Sequence, residues 1–397
     1  MKIVIAAVAS SEHLSGVTRH ASNMARCLLM RADVSAVHLL VAPWQYGSVS
    51  AAAPQNEAKL HIEQVSVGTG TIHRNLWYYN QLPVVAERLG ADIVHLAYPS
   101  PLKQSVFQCP TVVTLHDMYP YDIPANFGFP KMLVNRLILQ QCLHAADAIA
   151  CVSESTLRRL DIYAPRLALQ KAVTIYNCVD PASSSTATTS ESSLPGWNGE
   201  PFLLCVAQHR RNKNIVLAMQ VFRRLLLCGE ISPRSRLVVI GIEGPETANI
   251  HRFIREAKLS DHVVLLRGID DSALEWCYRN CELLLAPSII EGFGLPVVEA
   301  MMHHCRVVCS DIPAFREVGG SYCYYAPLKP SAEDDFVLAA RSALKNLRLR
   351  PAAVGRFSSP RIAEAYLQLY THLHNGCSVF GNCSHNDLTP TLGRRQL

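Results

Sequence analysis

Residues 283–299 read LLLAPSIIEGFGLPVVE, and they predict a strand that runs through a loop into a helix. The apolar run at the start is typical of a strand that is buried on both faces of a parallel sheet. Gly292 and Gly294 permit a tight turn and a close approach of the backbone to a ligand. Pro296 fits the first helical position, where its missing N–H is not needed. The stretch therefore predicts an α/β fold whose ligands bind where strands turn into helices.

Two carboxylates lie in this stretch. The pattern puts Glu291 in the loop and Glu299 in the first turn of the helix. The N–H groups of a helix N-terminus stabilise a negative charge, and they would equally favour a bound phosphate. The two acids could therefore serve different parts of one ligand. The residues leave an alternative open, in which Glu291 is an exposed loop acid and Glu299 is only a favourable charge at a helix start.

A second turn between a strand and a helix is rich in positive charge. Residues 205–214 read CVAQHRRNKN, with a strand that ends at Val206 and a helix that begins near Asn214, whose side chain would cap it. Cations beside a helix N-terminus at the carboxyl end of a strand form an anion site. Alternatively, the loop is solvated and its charges point outward. The side chains in question are His209, Arg210, Arg211 and Lys213.

Short β-branched runs alternate with helix-length segments along the chain, which predicts parallel, doubly wound sheets. In the first half, strands are predicted at 2–8, 36–41, 62–67, 93–96, 112–115, 148–152 and 173–176. In the second half, strands are predicted at 202–206, 236–240, 263–267, 283–286, 307–309 and 322–325. The intervening helices include 18–30, 132–144, 215–228, 245–257, 272–280 and 296–303.

A Ser/Thr-rich segment divides the chain. Residues 182–200, ASSSTATTSESSLPGWNGE, carry few large apolar side chains, so they predict a linker between Rossmann-like domains at 1–181 and 201–359. The two domains would face each other across a cleft that is lined by the carboxyl ends of both sheets. A C-terminal helix is predicted at 360–374, packing back across this cleft, and a flexible tail at 375–397.

The first half contains two further candidates at strand ends. Gly16 lies in a polar loop just before a helix, where backbone N–H groups could meet a phosphate. His116 follows the strand VVTL and would project into the cleft, although a lone histidine is more often structural. The first loop lacks the GxGxxG spacing of dinucleotide sites, and a Walker-type phosphate loop is absent. A nicotinamide or flavin enzyme is therefore disfavoured.

The composition narrows the function classes. The 397 residues are 49% hydrophobic, and their formal charge of +5 is too small for a dedicated nucleic-acid binder. The fourteen cysteines lie mostly in apolar runs, which predicts buried thiols in a reducing compartment rather than disulfides or a zinc site. No run approaches the roughly 18 apolar residues of a membrane span. The apolar start fits a first strand better than a signal peptide, so a cytoplasmic protein is expected.

The motifs resemble the retaining, nucleotide-sugar-dependent glycosyltransferases of family 4 (group 1), which have the GT-B fold. EGFGLPVVE at 291–299 is similar to the E-x7-E signature of that family. The resemblance runs from residue 1 to about 372, apart from the linker. Its other motifs are Gly16, ADIVH at 91–95, TLHD at 114–117, VSE at 152–154, RRNKN at 210–214, VVIGIEGP at 238–245 and SDIPAFREV at 310–318.

The resemblance implies a donor-binding second domain and an acceptor-side first domain. Lys213, with Arg210 or Arg211, would bind the donor diphosphate and neutralise the leaving nucleotide, which makes a divalent metal unnecessary. Glu299 would accept hydrogen bonds from the ribose, and Glu291 would lie beside the donor sugar. Further donor contacts are implied for Gly16, His116, Gly268, Ile269, Gly292, Phe293, Gly294 and Leu295.

Of these further positions, His116 would contact the donor sugar near the reacting carbon, and Gly16 would let the first loop approach the diphosphate. Gly268 and Ile269 correspond to the turn at the base pocket. The sequence departs from the family pattern in two places. AQHRRNK replaces the usual Gly-Arg pattern, so the arginine that holds phosphate is left open, and NCVD at 177–180 lacks the usual glycine.

The implied activity is transfer of a sugar from GDP-mannose or a UDP-sugar to an acceptor hydroxyl with retention, in cell-surface polysaccharide or lipid-linked glycan synthesis. No cofactor is implied beyond the donor substrate. The alternatives are a sugar-nucleotide epimerase, a glycoside phosphorylase and a non-catalytic nucleotide-sugar-binding protein. The phosphorylase is disfavoured because no lysine is marked for pyridoxal phosphate. The sequence does not specify the donor base, the donor sugar or the acceptor.

Residues 130–144, PKMLVNRLILQQCLH, have an amphipathic pattern that includes Lys131 and Arg136. One interpretation is a peripheral contact with a membrane surface or a lipid-linked acceptor. The other is a helix buried in the first domain, and the small number of charges favours it.

Overall fold

The protein is represented by a computed structural model, and the chain forms two compact units. Unit 1 comprises Met1–Cys178 and Arg356–Leu397, and unit 2 comprises Val179–Gly355. Of the predicted linker and tail, only residues 197–200, 375–377 and 379 are among those described. The structure describes residues 1–10, 12, 16–54, 57–179, 197–348, 354–377 and 379.

Unit 1 contains a parallel sheet in the order β3-β2-β1-β4-β5-β6-β7 across its described residues. This is the doubly wound pattern, in which the strand order reverses between β1 and β4. The register aligns Ile3 of β1 with Val37 of β2 and Ile93 of β4. The strands are β1 (Lys2–Ala6), β2 (Ala36–Val41), β3 (Leu60–Gln64), β4 (Ile93–Leu96), β5 (Thr111–Leu115), β6 (Ala148–Cys151) and β7 (Ala172–Thr174).

Helices cover both faces of this sheet, so β1 is buried on each side. Ile3 and Ile5 pack in one apolar cluster with the C-terminal helix, whereas Val4 and Ala6 pack in another. The helices are α1 (Gly16–Leu29), α2 (Tyr46–Ala52), α3 (Thr71–Leu76), α4 (Leu82–Leu89), α5 (Tyr119–Asp122), α6 (Lys131–Ala145), α7 (Glu154–Tyr163) and α8 (Pro165–Lys171).

Unit 2 contains a second parallel sheet, in the order β10-β9-β8-β11-β12-β13 across its described residues. The order reverses between β8 and β11, where Leu284 pairs with Leu204. Its strands are β8 (Phe202–Val206), β9 (Arg236–Ile240), β10 (Val263–Leu266), β11 (Leu284–Ala286), β12 (Val307–Ser310) and β13 (Tyr324–Ala326). Its helices are α9 (Ile215–Leu227), α10 (Thr247–Glu256), α11 (Asp271–Asn280), α12 (Leu295–Met302), α13 (Pro313–Gly319) and α14 (Ala332–Lys345).

After unit 2 the chain returns to unit 1. The last described helix, α15 (Ser359–His374), packs against α1 within that unit. Its buried face includes Tyr366 and Tyr370, both fully buried, which lie in the same apolar cluster as Ile3 and Ile5. The final helix is therefore part of the core of the first unit.

The predicted α/β class with two doubly wound sheets is confirmed. Each predicted strand is present, with ends that shift by a few residues. The cysteines are also as predicted, since ten of the thirteen in the described residues are buried and none of these thirteen forms a disulfide. Burial raises the pKa of the Cys205 thiol to about 12, as expected for an unreactive core thiol.

Candidate functional site

The candidate site of unit 2 lies where the order of its strands reverses. The loops that follow β8 and β11 leave the carboxyl ends of these adjacent strands, and ligands of open α/β sheets bind at such a point. The first loop contains a single 3-10 turn, Arg211–Lys213, and the second runs from Pro287 to Gly294. The topology thus brings the two stretches that the sequence singled out to the same edge.

The backbone fixes the first loop onto the turn that follows β9. The N–H of His209 donates to the carbonyl of Ile242 at 3.1 Å. A Cβ on Gly241 would lie 1.9 Å from the carbonyl oxygen of Ala207, and a Cβ on Gly244 would lie 2.6 Å from that of His209. Both positions require glycine, because any side chain would displace the loop. In the sequence these glycines stand out only as part of the VVIGIEGP motif, and no local pattern indicates this role.

Asn212 joins the two loops. It is buried, and its carbonyl oxygen accepts a 2.7 Å hydrogen bond from the N–H of Ile289. Its side-chain amide nitrogen lies 3.5 Å from the carbonyl oxygen of Ile290, next to Glu291. Sequence reasoning missed Asn212, although its position between Arg211 and Lys213 could have indicated a role in this loop. Asn212 thereby sets the spacing between the cationic loop and the acidic one.

Lys213 and Glu291 meet across this edge. The Lys213 ammonium lies 2.5 Å from Glu291 Oε1, with the two side chains 20% and 9% exposed. They line a pocket together with Ser288, Pro296 and Phe315. A nearly buried carboxylate requires such a partner, since an unpaired charge there would be costly. The alternative of Glu291 as an exposed loop acid is therefore wrong.

The other cations of the first loop differ in position. Arg210 and Arg211 are exposed and, within the described ranges, neither pairs with an acid. His209 is buried, its Nδ1 lies 3.0 Å from Thr247 Oγ1, and burial lowers its pKa, so it belongs to the framework. Asn214 precedes α9 but makes no capping bond through its side chain. The predicted cap is wrong because its backbone is left-handed, with φ of 52°, whereas a capping residue is extended.

Helix α12 begins at Leu295, one residue earlier than predicted, and Pro296 is its second residue. Glu299 consequently lies beyond the first turn, and its predicted stabilisation by the helix N-terminus is wrong. The hydroxyl of Tyr278, in α11, instead donates to Glu299 Oε2 at 2.7 Å. Tyr278 is 1% exposed and stacks on His303 at 5.9 Å between ring centroids. Sequence reasoning missed Tyr278, because no local pattern relates α11 to α12.

The glycines of the second loop and the turn after β10 complete the set. Gly294 has φ of 104°, and a Cβ there would lie 2.8 Å from the Phe315 ring, so glycine is required. Gly292 and Phe293 are buried beside it. Gly268 adopts a left-handed φ of 64° after β10, with Ile269 half-buried next to it. These positions lie in loops after β11 and β10, at the carboxyl edge of the sheet.

In unit 1, His116 directly follows β5. Its Nε2 lies 2.8 Å from the carbonyl oxygen of Ala97, and burial lowers its pKa to about 4. A carbonyl can only accept, so the neutral ring carries its proton on Nε2, and Nδ1 is an acceptor. Gly16 begins α1, and a Cβ there would meet nothing within 4 Å. His116 therefore has a defined tautomer, whereas no described contact requires glycine at 16.

Two kinds of feature are absent from the described residues. No helix in these ranges is both long and apolar enough to cross a membrane. The same ranges hold no group of three or more His, Cys, Asp and Glu side chains that could bind a metal ion.

Comparison with protein families supplies the identification. The model for "Glycosyl transferases group 1" matches residues 190–353, and the model for "Glycosyltransferase Family 4" matches residues 14–183. The first match lies within unit 2, and the second lies almost entirely in unit 1. The chain belongs to the group 1 glycosyltransferases. The resemblance that the motifs suggested is confirmed at the level of the family.

Curated relatives of this glycosyltransferase include bacterial enzymes. The O-antigen chain mannosyltransferase RfbU of Salmonella typhimurium is 24% identical over 257 residues, which are 62% of this chain and 63% of that protein. The N-acetylgalactosamine-N,N'-diacetylbacillosaminyl-diphospho-undecaprenol 4-alpha-N-acetylgalactosaminyltransferase of Campylobacter jejuni is 25% identical over 221 residues, 55% of this chain and 57% of that protein. The chain thus spans about three fifths of the length of these relatives.

Solved structures agree on the fold. Sucrose-phosphate synthase from Thermosynechococcus elongatus has a TM-score of 0.67 at 17% identity and covers 94% of this chain and 99% of its own. Anabaena HepE, in complex with UDP and glucose, has a TM-score of 0.67 at 16% identity, with 94% and 100% covered. WaaG, a glycosyltransferase of lipopolysaccharide biosynthesis, has a TM-score of 0.63 at 14% identity, with 95% and 98% covered. At these identities the likeness establishes the GT-B fold alone.

Proposed function

We propose that this glycosyltransferase moves a sugar from a nucleoside diphosphate sugar to an acceptor hydroxyl with retention of configuration. The observation that carries the proposal is the pair of Lys213 and Glu291, 2.5 Å apart, where the strand order of unit 2 reverses. A cation and a carboxylate at this point can serve the diphosphate and the sugar of one donor. Mannosyltransferases and other glycan-forming enzymes among the relatives support the reaction class.

The cations of the first loop would stabilise the leaving diphosphate. An ammonium group has three N–H donors, so Lys213 can bind Glu291 and still donate to phosphate oxygens. Arg210 and Arg211 are exposed beside it and would add charge-assisted bonds. The N–H groups at the start of α12, around Gly292–Leu295, would meet the same anion. With this compensation the proposed reaction requires no divalent metal, and activity is expected to persist in EDTA.

Glu299 would bind the ribose. A carboxylate accepts up to about four hydrogen bonds, so the bond from Tyr278 is compatible with acceptance from two ribose hydroxyls. The turn at Gly268 and Ile269 would contact the base through its backbone.

We expect Tyr278→Phe to raise the KM for the donor about tenfold, because Glu299 loses the hydrogen bond that orients it. Since Glu299 would act at the ribose and not at the reacting carbon, kcat should change by less than twofold. Initial rates at varied donor concentration measure both constants. Tyr324→Phe, on β13 of the same unit, is the matched control. An unchanged KM in Tyr278→Phe would remove this residue from the donor site.

His116 would contact the donor sugar from unit 1. Its neutral ring with the proton on Nε2 leaves Nδ1 to accept from a sugar hydroxyl. Positive charge would develop on the sugar as the diphosphate departs, and Glu291 would lie beside it. We assign no carboxylate as a covalent nucleophile, so departure and attack on the same face of the sugar are proposed.

A screen of donors tests the proposed function. The purified protein is mixed with GDP-mannose, UDP-glucose and related nucleotide sugars, and thermal shift and release of the nucleoside diphosphate are both measured. The proposal expects one donor to stabilise the protein and to release its diphosphate when an acceptor is added. A stabilising donor without release would indicate a nucleotide-sugar-binding protein. Conversion of the donor into another nucleotide sugar would indicate an epimerase.

For the acceptor we propose a surface glycan or a lipid-linked glycan, with unit 1 at a membrane surface. The relative from Campylobacter jejuni is named for a diphospho-undecaprenol substrate. In unit 1 the second half of α6 packs into the core through Leu139, Cys142 and Leu143, as the interpretation favoured by the sequence requires, whereas its first turns are exposed. We define the α6 surface as Phe129, Lys131, Leu133, Val134 and Leu137, whose four apolar members are 82%, 43%, 47% and 71% exposed in chain order.

The α6 surface is suited to anionic lipid. Residues 123–146 contain Lys131 and Arg136 but no acid. Because α6 connects β5 to β6 in a parallel sheet, it begins at the edge where β5 ends and His116 lies. The Arg136 Nε donates to the carbonyl of Pro120 at 2.8 Å, which holds the helix against the segment that follows His116. An apolar, cationic surface at this edge would bring the reacting side of unit 1 to the membrane.

The wild-type protein is expected to sediment with vesicles that contain phosphatidylglycerol and to bind pure phosphatidylcholine vesicles more weakly. Leu133→Gln/Leu137→Gln should lower the bound fraction at least about tenfold, because two apolar side chains no longer enter the lipid. Leu169→Gln, a 69% exposed leucine of α8, is the control and should bind as the wild type does. Equal binding by the double variant and the wild type would contradict the membrane proposal.

A further inference from the structure

Four buried polar side chains form a continuous series in unit 1. Tyr370 on α15 lies with its hydroxyl 2.6 Å from His95 Nδ1, and His95 Nε2 lies 2.7 Å from Thr114 Oγ1. Thr114 Oγ1 is in turn 3.2 Å from His20 Nε2. Tyr370, His95 and Thr114 are fully buried and His20 is 3% exposed. The series joins the last helix, two central strands and the first helix, and the reaction proposed above uses none of its members.

Burial makes both histidines of the series neutral at pH 7. Desolvation lowers the pKa of His95 to about 3 and that of His20 well below its usual value. A neutral imidazole has one donor and one acceptor nitrogen, and a hydroxyl has one proton. Thr114 therefore cannot donate to both rings, so at least one of the two Nε2 atoms carries a proton.

The phenol decides the direction of the series. Among the described residues, the hydroxyl of Tyr370 has two hydrogen-bonding neighbours, His95 Nδ1 at 2.6 Å and the sulfur of Met24 at 3.8 Å. An imidazole nitrogen is the stronger acceptor, because thioether sulfur accepts only weakly. Tyr370 then donates to His95, His95 Nε2–H donates to Thr114, and Thr114 donates to His20.

The far end of the series has a matching acceptor. With Nε2 of His20 accepting from Thr114, its Nδ1 carries the proton. Asn177 faces this ring and interacts with it. The buried Oδ1 of Asn177 has no other hydrogen-bond donor among the described residues, so the His20 proton would satisfy it. Each ring nitrogen of His95 and His20 then has a partner.

His20 also contacts His116. Their ring centroids are 4.9 Å apart and the ring planes are inclined by 89°, so one ring edge packs on the other face. The His116 ring is also held by the bond from Nε2 to the carbonyl of Ala97. A rotation of His20 would therefore displace His116 and the Nδ1 that it presents.

We propose that Tyr370, His95, Thr114 and His20 form a chain of hydrogen bonds in which each side chain donates to the next. This chain positions the His116 ring for the reaction. These four are positioning residues, and the inference rests on the proposed contact between His116 and the donor sugar. The C-terminal helix thereby supports His116 through Tyr370.

The tautomers test the direction without any measurement of activity. Long-range ¹H–¹⁵N NMR spectra of ¹⁵N-histidine-labelled full-length protein, assigned with single His→Gln variants, report which ring nitrogen carries the proton. We expect a proton on Nε2 of His95, on Nδ1 of His20 and on Nε2 of His116 at pH 7. In Tyr370→Phe the His95 signals should change, because Nδ1 has lost its donor. A proton on Nδ1 of His95 in the wild type, or unchanged signals in Tyr370→Phe, would overturn the chain.

Kinetics then test positioning. Tyr370→Phe is expected to lower kcat about tenfold with the donor KM within about twofold, since a small displacement of a reacting group is costly. Thr114→Val is expected to lower kcat by the same factor. The double variant should lower kcat no more than either single variant does, because one break already interrupts the chain. In a His116→Gln background, Tyr370→Phe should have no further effect. Additive losses would indicate a merely structural role and would overturn the positioning.

The two proposals fail in different ways. If no donor is turned over but the tautomers are as expected, the proposed transfer fails and the direction of the chain stands. If transfer occurs and Tyr370→Phe turns over at the wild-type rate, the positioning role alone is contradicted.

Discussion

Replacing Lys213 with alanine is expected to lower kcat for sugar transfer by about a hundredfold or more, because charge on the departing diphosphate loses its main compensation. The reason is structural as well as electrostatic. Lys213 is 20% exposed and fixed by Glu291, so its charge acts in a partly desolvated pocket where it is worth more than in water. Steady-state rates with the donor found by the screen measure the loss.

The experiment must separate the effect of losing the Lys213 cation from the effect of removing the counter-charge of Glu291. In Lys213→Ala, Glu291 keeps a nearly buried charge without the Lys213 ammonium, which destabilises unit 2 and repels phosphate. Lys213→Ala/Glu291→Gln removes that charge, and its rate relative to Glu291→Gln alone reports the effect of the cation. Lys345→Ala, an exposed lysine at the end of α14, is the matched control. A double variant that turns over like the wild type would exclude Lys213 from the phosphate site.

Gly241→Ala should have a comparably large effect, although residue 241 is assigned no contact with substrate. A Cβ at this position would lie 1.9 Å from the carbonyl oxygen of Ala207, which cannot move without the loop that carries Lys213. We expect destabilisation of about 2–3 kcal/mol from overpacking. A loop displacement of about 1 Å would also lower kcat about a hundredfold. Thermal unfolding and kcat are measured on the same preparation.

Two further glycine variants complete this test. Gly244→Ala is the milder change, since its Cβ would lie 2.6 Å from the His209 carbonyl oxygen, and it should lower kcat with a smaller loss of stability. Gly47→Ala, in α2, is the control, because a Cβ there meets nothing within 4 Å. If Gly241→Ala retained both its melting temperature and its kcat, the described packing of this loop would be wrong.

Much of the fold follows from patterns that are local in sequence. The apolar runs of β1, β8 and β11 are short and are bounded by polar turns, so their positions could be predicted. The sequence predicts that the sheets are doubly wound, and all such sheets reverse their strand order at one point. It does not predict the individual order of the strands. That the last helix belongs to the first unit could not be predicted, since its apolar face fits either sheet.

The candidate site was predictable where charged residues lie in the turn between a predicted strand and a predicted helix. Lys213 and Glu291 are such residues, and the structure brings them together. Asn212 and Tyr278 were missed because their roles depend on contacts between distant segments, which no local spacing encodes. The predicted stabilisation of Glu299 failed for a different reason. Helix α12 begins at Leu295, and a shift of one residue in the start of a helix changes which side chains lie in its first turn.

The stereochemistry of transfer tests the central claim most directly. The full-length protein is incubated with an α-linked nucleotide sugar, ¹³C-labelled at the anomeric carbon, and a set of polyprenyl-diphosphate-linked saccharides. The one-bond carbon–hydrogen coupling of the product reports its anomeric configuration by NMR, with Lys213→Ala/Glu291→Gln as the inactive reference. Our account predicts an α-linked product from the wild-type protein and none from the reference. A β-linked product, or equal transfer by both proteins, would contradict it.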